Sequence, residues 1–262
     1  MTARVQHPWV STKSPGLAKE AALQLTKFSL LKRRVGLTRE AFAQHWATVH
    51  AHVLVNQAGH KHYNLRYVQN RFLDVEGFND ASFDGAAQMI PQSVQVLQHG
   101  FQEDPLYQQF VRPDELLFLD VPSCQVLYCE RRPIQVVAPG LAGLKALILV
   151  RRQTETSRID FLKTWLERAQ TLVQGEPALC GVVHHYVMQG AARGMADGVP
   201  CRQPFDLVEE LFFHDLDTLR RVTASTAFGE DFARHGARPA GQGSLVFAAQ
   251  EHLVYGDTDV TN

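Results

Sequence analysis

Apolar and polar positions follow the same order twice along the chain. In the first half, an apolar run at 25–34 precedes residues at helical spacing, two further strand-like runs, a second helical segment and a last apolar run. The second half repeats this order from residue 143 onward. A period of two indicates strands, and a period near 3.6 indicates helices. Each half therefore predicts the order βαββαβ, the ferredoxin-like unit.

The predicted strands and helices fall at equivalent places in the two halves. The strands are expected at 25–34, 64–73, from 83, 116–130, 143–152, 181–190, from 205 and 244–255. Hydroxyl side chains, Thr38 and Ser157, precede the first helix of each half and suit the N-cap position. The apolar stripes of these helices are Phe42, Trp46, Val49 and Val53, then Ile159, Leu162, Trp165 and Leu166. The second helices are expected at about 91–111 and 215–235.

Particular residues also recur at a nearly constant separation of 118 to 122 positions. The pairs are Lys27 and Lys145, Arg33 and Arg151, Phe42 and Phe161, Trp46 and Trp165, Tyr67 and Tyr186, Phe110 and Phe232. A slowly drifting separation is what small loop insertions in a repeat produce. The expected organisation is an N-terminal extension at 1–24, one domain at 25–132 and a second at 143–256. A linker at 131–142 and an internal loop at 190–203 contain Pro, Gly or Ala.

One face of a ferredoxin-like sheet carries no helices, so two such faces can bury each other. The sequence therefore predicts an α+β fold of two tandem ferredoxin-like (βαββαβ) units. These units are expected to pack sheet to sheet as an intramolecular dimeric α/β barrel. A homodimer of such chains is a further possible level of assembly.

Composition narrows the partners and the location. The formal net charge of the 262 residues is −1, which gives no basic excess for nucleic acid or an anionic membrane. No apolar stretch approaches the roughly 20 residues that span a bilayer, and the first 20 residues lack a signal-peptide core. None of the four cysteines forms a CxxC pair. A reduced cytoplasmic protein with no nucleic-acid and no membrane partner is expected.

Cofactor motifs are missing from the sequence. There is no P-loop, no glycine-rich dinucleotide fingerprint after a strand and no GxSxG elbow. We therefore expect no cofactor and a small-molecule substrate that reacts by acid–base chemistry.

Three histidines, His45, His50 and His52, lie within eight residues of the first helix. His50 follows Trp46 by one turn and shares its face, whereas His52 is expected to face solvent. An α-helix places His45 about 140° away from His50, on the helix flank. The three lack the i, i+4 spacing of a metal site. His50 is a candidate general base or acid, and a buried histidine bonded at the helix end is the alternative.

Other histidine pairs offer little for a metal. His60 and His62 could share one face of a strand, but a third ligand is undefined. His184 and His185 point to opposite faces of their strand. We expect no metal site.

Four stretches of the first half resemble the EthD domain, a family of dimeric α/β barrels. They are LLKRRVGLTREAFAQHWATVHAHV (30–53), RYVQNR (66–71), FDGAAQM (83–89) and FVRPDELLFL (110–119). The last resembles the run into the final strand of that family. The second half keeps FDLVEELFF (205–213) but has Ala169 where the first has His50, and the first half has Gln88 where the second has Glu210. One active site, in the first half, is expected.

The resemblance implies an apolar pocket between sheet and helices with a few groups for proton transfer. Such families include cofactor-free lactone isomerases, polyketide dehydratases and proteins of ether degradation, and related barrels include oxygenases, some with haem. On this basis His50 is expected to move the proton, while Tyr67 and Asp84 orient it or bind the substrate oxygen. Core packing for Tyr67 and local turn capping for Asp84 are the alternatives.

Further residues are candidates for substrate binding. Trp46 shares the helix face of His50, and Tyr63 and Gln69 share the strand face of Tyr67. Arg33 could bind an anionic group or lie in solvent at a strand end. Glu210 interrupts an apolar strand, and its pKa is expected to rise if it is buried unpaired; an ion pair with Arg151 or Arg152 is the alternative.

These observations favour a cofactor-independent lyase or isomerase that acts on a small, fairly apolar, oxygenated substrate. Hydration, dehydration, a double-bond shift and lactone rearrangement all fit. A cofactor-free or haem-dependent oxygenase on the same barrel is one alternative, and a non-catalytic small-molecule-binding protein is another.

Overall fold

A closed antiparallel β-barrel forms the centre of the molecule in the computed structural model. The structure describes residues 24–76, 78, 81–93, 96, 100–135, 143–188, 193–195, 205–223 and 226–256. The strands are β1 (Gln24–Leu31), β2 (Asn64–Phe72), β3 (Gly85–Pro91), β4 (Gln125–Gln135), β5 (Leu144–Val150), β6 (Leu179–Val187), β7 (Arg193–Gly194), β8 (Leu207–Phe213) and β9 (Leu245–Tyr255). The order is β1-β3-β2-β9-β5-β8-β6-β4, β4 closes on β1, and β7 extends β4.

Each half of the chain contributes four barrel strands in the same order. The first half gives β4-β1-β3-β2 and the second gives β9-β5-β8-β6. Hydrogen-bonded pairs β2–β9 and β4–β6 join the halves. The α+β barrel class is as expected, but the halves meet edge to edge in one closed sheet. Closure pairs the edge strands that two separate sheets would have left exposed.

The barrel interior is one apolar core shared by both halves. Phe28 and Leu30 from β1 pack with Leu147, Leu149 and Phe247 from the second half. The outer face of each half packs instead against its own helices, in two further apolar clusters. Side chains on the two faces of each strand therefore enter different cores, as the alternation of a strand requires.

Five α-helices lie outside the barrel in the described part of the chain. They are α1 (Arg39–His45), α2 (Arg112–Phe118), α3 (Arg158–Gly175), α4 (Leu216–Thr223) and α5 (Thr226–Arg234). The predicted N-caps are confirmed, because Thr38 Oγ1 accepts from Ala41 N and Ser157 Oγ accepts from Asp160 N, each at 3.1 Å. Beyond α1 the helix continues through π-helical turns at Trp46–His50 and Val53–Gln57.

The second helical segment of the first half runs past its predicted end at about residue 111. A π-helical turn at Tyr107–Val111 leads into α2, which ends at Phe118, so the apolar residues 116–118 belong to a helix and β4 begins only at Gln125. Pro113 near the start and acidic Asp114 and Glu115 in the first turn favour helix initiation. Two stripe positions were also wrong: Val49 is 47% exposed and Ile159 is 80% exposed.

The repeat alignment in the first strand was wrong by one residue. Lys27 pairs with Met89 across β1 and β3, and the corresponding pair in the second half is Ala146 with Leu211. Lys27 therefore matches Ala146, and Lys145 lies on the opposite face of its strand. A shift of one residue exchanges the two faces of a strand.

Some expectations fall outside the described residues. These are nearly all of the N-terminal extension, the linker beyond 135 and the internal loop other than 193–195. None of the helices in the described ranges has the length and apolarity to cross a bilayer.

Candidate active site

A buried cavity of about 50 Å³ lies on the outer face of the first-half sheet, under α1 and its π-helical continuation. Its apolar wall includes Trp46, Leu54, Ala87, Met89 and Phe101. Its polar groups are Lys27, Ser29, His50, His60, Tyr67, Tyr107 and Glu115. An apolar pocket with a few converging polar groups is the usual form of a small-molecule site. We call this space the inner cavity.

His50 and Asp114 form a hydrogen-bonded pair at the inner cavity. His50 is buried, and its Nδ1 lies 2.6 Å from Asp114 Oδ2. The other carboxylate oxygen, Oδ1, lies 2.8 Å from His45 Nε2. Burial acts to raise the pKa of Asp114, but its hydrogen bonds and charge interactions with His50 and His45 outweigh burial and lower it. Asp114 is therefore an ionised partner that holds the His50 ring and favours Nδ1–H, which leaves Nε2 as the basic nitrogen.

The π-helical turn explains how His45 and His50 reach one carboxylate. In such a turn the backbone bonds residue i to residue i+5, so residues five apart lie nearly above one another. The expected separation of about 140° assumed an α-helix and was wrong. His52, by contrast, is exposed as expected.

Tyr67 presents a hydroxyl group with two donors already bound. Its oxygen accepts from Trp46 Nε1 at 2.9 Å and from Gln69 Nε2 at 3.3 Å. Burial raises the pKa of Tyr67, so the phenol stays protonated. No described residue accepts its proton, and Tyr67 lines the inner cavity. The hydroxyl is therefore free to donate to an oxygen of a bound molecule. Gln69 lies behind Tyr67, outside the cavity wall.

His60 is a second buried histidine on the cavity wall, and it is neutral. Its Nε2 lies 3.1 Å from Asn64 Nδ2, which donates, so Nδ1 carries the proton toward Tyr255 Oη at 2.6 Å. Burial lowers the pKa of His60 to about 3, helped by the positive charge of Lys27. The predicted face shared by His60 and His62 is absent: both lie in a short 3₁₀ turn, with His62 exposed.

Glu115 supplies a buried carboxyl group to the same cavity. Burial raises its pKa, opposed by the charges of His50 and Arg112. Arg112 Nη1 lies 2.9 Å from Oε2, and Tyr107 Oη donates to both carboxylate oxygens at 2.8 and 2.9 Å. Sequence reasoning missed Asp114 and Glu115 because their segment was assigned to the approach to a strand. The run Arg112-Pro113-Asp114-Glu115 carried the signal of a helix start.

Asp84 and Arg33 lie outside the cavity wall. Arg33 Nη1 pairs with Asp84 Oδ1 at 2.5 Å, and the backbone N–H of Arg33 donates to Oδ2 at 3.0 Å. In the second half Arg152 makes the same two contacts with Asp206, at 3.2 and 3.0 Å. The same Arg–Asp arrangement occurs in both halves, where it joins the end of one strand to the start of a neighbouring strand in the sheet. Asp84 therefore makes no contact with His50, which it was expected to orient.

Tyr63 and Glu210 are also engaged elsewhere. Tyr63 Oη donates to Asp104 Oδ2 at 2.5 Å. Glu210 lies in the barrel interior, paired with Lys145 Nζ at 2.5 Å and His185 Nε2 at 2.7 Å. Burial acts to raise the pKa of Glu210, but Lys145 and His185 outweigh it and lower the pKa. The raised pKa expected for an unpaired Glu210 is therefore wrong, and its partner is Lys145 rather than Arg151 or Arg152.

The equivalent space in the second half is filled by an ion pair. Glu209 stands where the first half has Ala87, since these residues pair with the equivalent positions Ile148 and Ser29. Its carboxylate accepts from Trp165 Nε1 at 3.2 Å and contacts His184 Nε2 at 2.9 Å. Arg168 Nη1 lies 3.1 Å from Glu209 Oε2 and completes the ion pair. The arrangement of His50 and Asp114 thus has no counterpart among these residues, and Ala169 replaces the histidine.

Comparison with known proteins identifies the family of the first half. Residues 34–122 match the family model of the EthD domain, so the chain contains an EthD domain there, as the sequence motifs indicated. No curated protein matches the chain significantly.

Solved structures resemble the chain over most of its length. One named an anthrone oxidase-like protein has a TM-score of 0.61 at 11% identity and covers 92% of this chain and 98% of its own. One named a monooxygenase, from Lactobacillus acidophilus, has a TM-score of 0.50 at 10% identity, with coverage of 88% and 95%. One named a chlorite dismutase has a TM-score of 0.50 at 8% identity, with the same coverage. At sequence identities this low, the structural similarity shows the fold alone, which is that of a dimeric α/β barrel.

The names of these structures contradict the expected lyase or isomerase. All three denote oxidative enzymes, and none denotes a dehydratase or an isomerase. Of the readings that the sequence left open, the oxygenase is the one they favour.

Proposed function

We propose that the chain is a cofactor-free oxygenase that acts on a single-ring substrate whose reacting end enters the inner cavity. The observation that carries the proposal is the convergence of the His50–Asp114 pair and the free Tyr67 O–H on one apolar space. The likeness to proteins named as a monooxygenase and an anthrone oxidase-like protein supports an oxidative reaction. His50 and Tyr67 keep the parts that the sequence suggested for them.

The chain's own residues would begin the reaction by removing a proton. His50 Nε2 takes it from an acidic C–H next to a carbonyl, and the Asp114 carboxylate stabilises the imidazolium. Tyr67 donates a hydrogen bond to the carbonyl oxygen, where negative charge develops. The electron-rich carbon then reacts with O₂: a C–O bond forms, carbon is oxidised and O₂ is reduced to the peroxide level.

The remaining steps balance without a further reductant. His50 returns its proton to the substrate peroxide, and loss of a second C–H proton expels water and leaves a carbonyl group. The sum is R₂CH₂ + O₂ → R₂C=O + H₂O. The apolar wall of Trp46, Leu54 and Phe101 excludes water from the carbanion.

A haem does not fit this site. The inner cavity is about 50 Å³, whereas sites for drug-sized ligands start near ~300 Å³, and a porphyrin is larger than such ligands. His60 has both ring nitrogens hydrogen-bonded, so this histidine offers no nitrogen to an iron. In the described residues no three His, Cys, Asp or Glu side chains form a metal-binding group.

We further propose that domains at 25–132 and 143–256 are tandem ferredoxin-like units. Their common strand order, their matched N-caps and the matched pairs of Arg33 with Asp84 and Arg152 with Asp206 support this. On this view the second unit closes the barrel and has lost its own site.

Oxygen uptake tests the function. Purified protein is mixed with single-ring compounds that carry an acidic C–H or a phenol, and O₂ consumption is followed with an oxygen electrode. The proposal expects uptake without added flavin, haem or metal, and no Soret band in the protein. Turnover that continues unchanged under nitrogen would refute it, as would uptake that depends on added haem.

A further inference from the structure

A second cavity of about 110 Å³ lies against the inner cavity, and we call it the outer cavity. Both have Lys27, His60, Met89, Phe101 and Gln102 in their walls. The outer cavity extends past Tyr128 to Arg193, an exposed side chain. Lys27 therefore stands at the boundary between a space that contains His50 and a space that leads outward.

Lys27 lacks the carboxylate partners of the fully buried cations Lys145 and Arg168. It is partly buried, yet its Nζ has no hydrogen bond or ion pair with any described residue. Burial lowers the pKa of Lys27, opposed by the charge of Glu115, whose own carboxylate is bound by Arg112 and Tyr107. Lys145 and Arg168, by comparison, each contact two carboxylates.

A cation removed from water is costly unless a partner compensates it. The fold compensates Lys145 and Arg168 but leaves Lys27 facing two cavities. The strand register indicates that Lys27 is particular to the first half, because the residue in the equivalent position of the second half is Ala146. The simplest compensation is an anionic group that arrives with the ligand.

We propose that Lys27 binds a carboxylate or phenolate oxygen of the substrate, at the boundary between the inner and outer cavities. The assignment rests on the proposed function for the position of the reacting carbon, next to His50. Arg193 adds a second positive charge to the outer wall, and Glu103 adds one negative charge. Substrates of this enzyme are therefore small acidic aromatics, held by the acid at Lys27 and by the reacting end at Tyr67.

Isothermal titration with two probes of similar size tests the assignment. The probes are 4-hydroxybenzoate, which is anionic at neutral pH, and 4-methylphenol, which is neutral. The wild-type chain is expected to bind 4-hydroxybenzoate about tenfold more tightly, which corresponds to about 1.4 kcal/mol, because a hydrogen bond to a charged group is stronger than one between neutral groups. Lys27→Met is expected to abolish the preference, and Lys27→Arg to retain it in part.

Lys163→Met is the matched control, because Lys163 is an exposed lysine on α3. It should leave the preference at the wild-type value. If Lys27→Met does not fold, Lys27→Gln provides the same removal of charge with a polar side chain. An unchanged preference in either variant overturns the proposal, as does a wild-type chain that binds neither probe at millimolar concentration.

Two further results distinguish this proposal from a nucleophilic role of Lys27 and from the proposed oxygenase function. A borohydride-trapped adduct of Lys27 with a carbonyl compound would make the lysine a nucleophile and overturn the anion-binding assignment. Titration requires no turnover, so its outcome is independent of oxygen uptake. Loss of uptake with the binding preference intact would count against the oxygenase alone, and the reverse would count against the anion site alone.

Discussion

Individual side chains divide between the roles that sequence can assign and those that only the fold reveals. His50 and Tyr67 were identified from their motifs, and both line the inner cavity. Asp114 was missed because it lies 64 residues from His50 in the chain, so no local spacing connects them. Asp84 belongs to one of the motifs but forms an ion pair with Arg33 and does not line the cavity. A residue in a familiar motif can thus be predicted to line a cavity, whereas its hydrogen-bond partner depends on tertiary contact.

Asp114→Asn tests the partner of the base. An amide is neutral and cannot stabilise the imidazolium, so turnover is expected to fall roughly 100-fold or more. Steady-state oxygen uptake at neutral pH measures the fall. Asp217→Asn, at an exposed position, serves as the control; equal rates for wild type and Asp114→Asn would show that the pair has no part in the reaction.

His60 links stability to pH. Its pKa is about 3 in the folded chain against 6.5 in the unfolded one, so below pH 6.5 the unfolded chain binds more protons. The folded state therefore loses stability as pH falls from 6.5 toward 3, by up to about 1.4 kcal/mol per pH unit. His60→Gln should lose less between pH 7 and pH 4.5 in urea unfolding. His62→Gln, at an exposed neighbouring position, should lose as much stability as wild type over this pH range. An equal loss of stability in His60→Gln would contradict the account.

At the scale of elements, strands were predicted better than helices. Five of the eight barrel strands begin and end within a few residues of the apolar runs, and two more begin close to their predicted start, because alternation is a local property. The end of the second helical segment in the first half was placed too early, since apolar residues 116–118 fit a strand equally well. The spacing of apolar residues did not predict the π-helical turns. One of these turns nevertheless brings both His45 and His50 within hydrogen-bond distance of Asp114.

Gly85 allows α1 and β3 to approach. A Cβ atom there would lie 2.6 Å from Trp46 Cζ3 and 3.1 Å from the carbonyl oxygen of Asn70. Gly85→Ala must displace the Trp46 ring, which lines the cavity and binds Tyr67, so the free energy of unfolding should fall by about 1–3 kcal/mol. Urea unfolding and indole fluorescence measure the change. Gly175→Ala, where nothing lies within 4 Å, is the control; equal stability of the two variants would refute the close packing.

The whole molecule is one closed barrel rather than two sheets laid face to face. Sequence predicted the α+β barrel class, because the alternation of strand and helix patterns is visible within each half. It did not predict the seams β2–β9 and β4–β6, since pairing between distant strands leaves no local periodicity. The seams and the shared interior make each half incomplete without the other.

A shared interior predicts cooperative unfolding. Phe28 is fully buried and packs with second-half residues such as Leu147 and Val208. Phe28→Ala should cost about 3–5 kcal/mol and lower one common transition, rather than melt the first half alone. Scanning calorimetry with hydrogen exchange at both halves tests this. Leu65→Ala, at a 55% exposed position, should have little effect; a separate, unshifted transition of the second half would contradict the shared core.

Isotope incorporation by wild type and His50→Ala tests the central claim most directly. Each protein is incubated with ¹⁸O₂ and a single-ring substrate with an acidic C–H, and the product is analysed by mass spectrometry. The account predicts one ¹⁸O atom in the new carbonyl group for wild type, once exchange with water is corrected, and loss of nearly all product for His50→Ala. Product that carries oxygen from water alone, or equal labelling by His50→Ala, would contradict it.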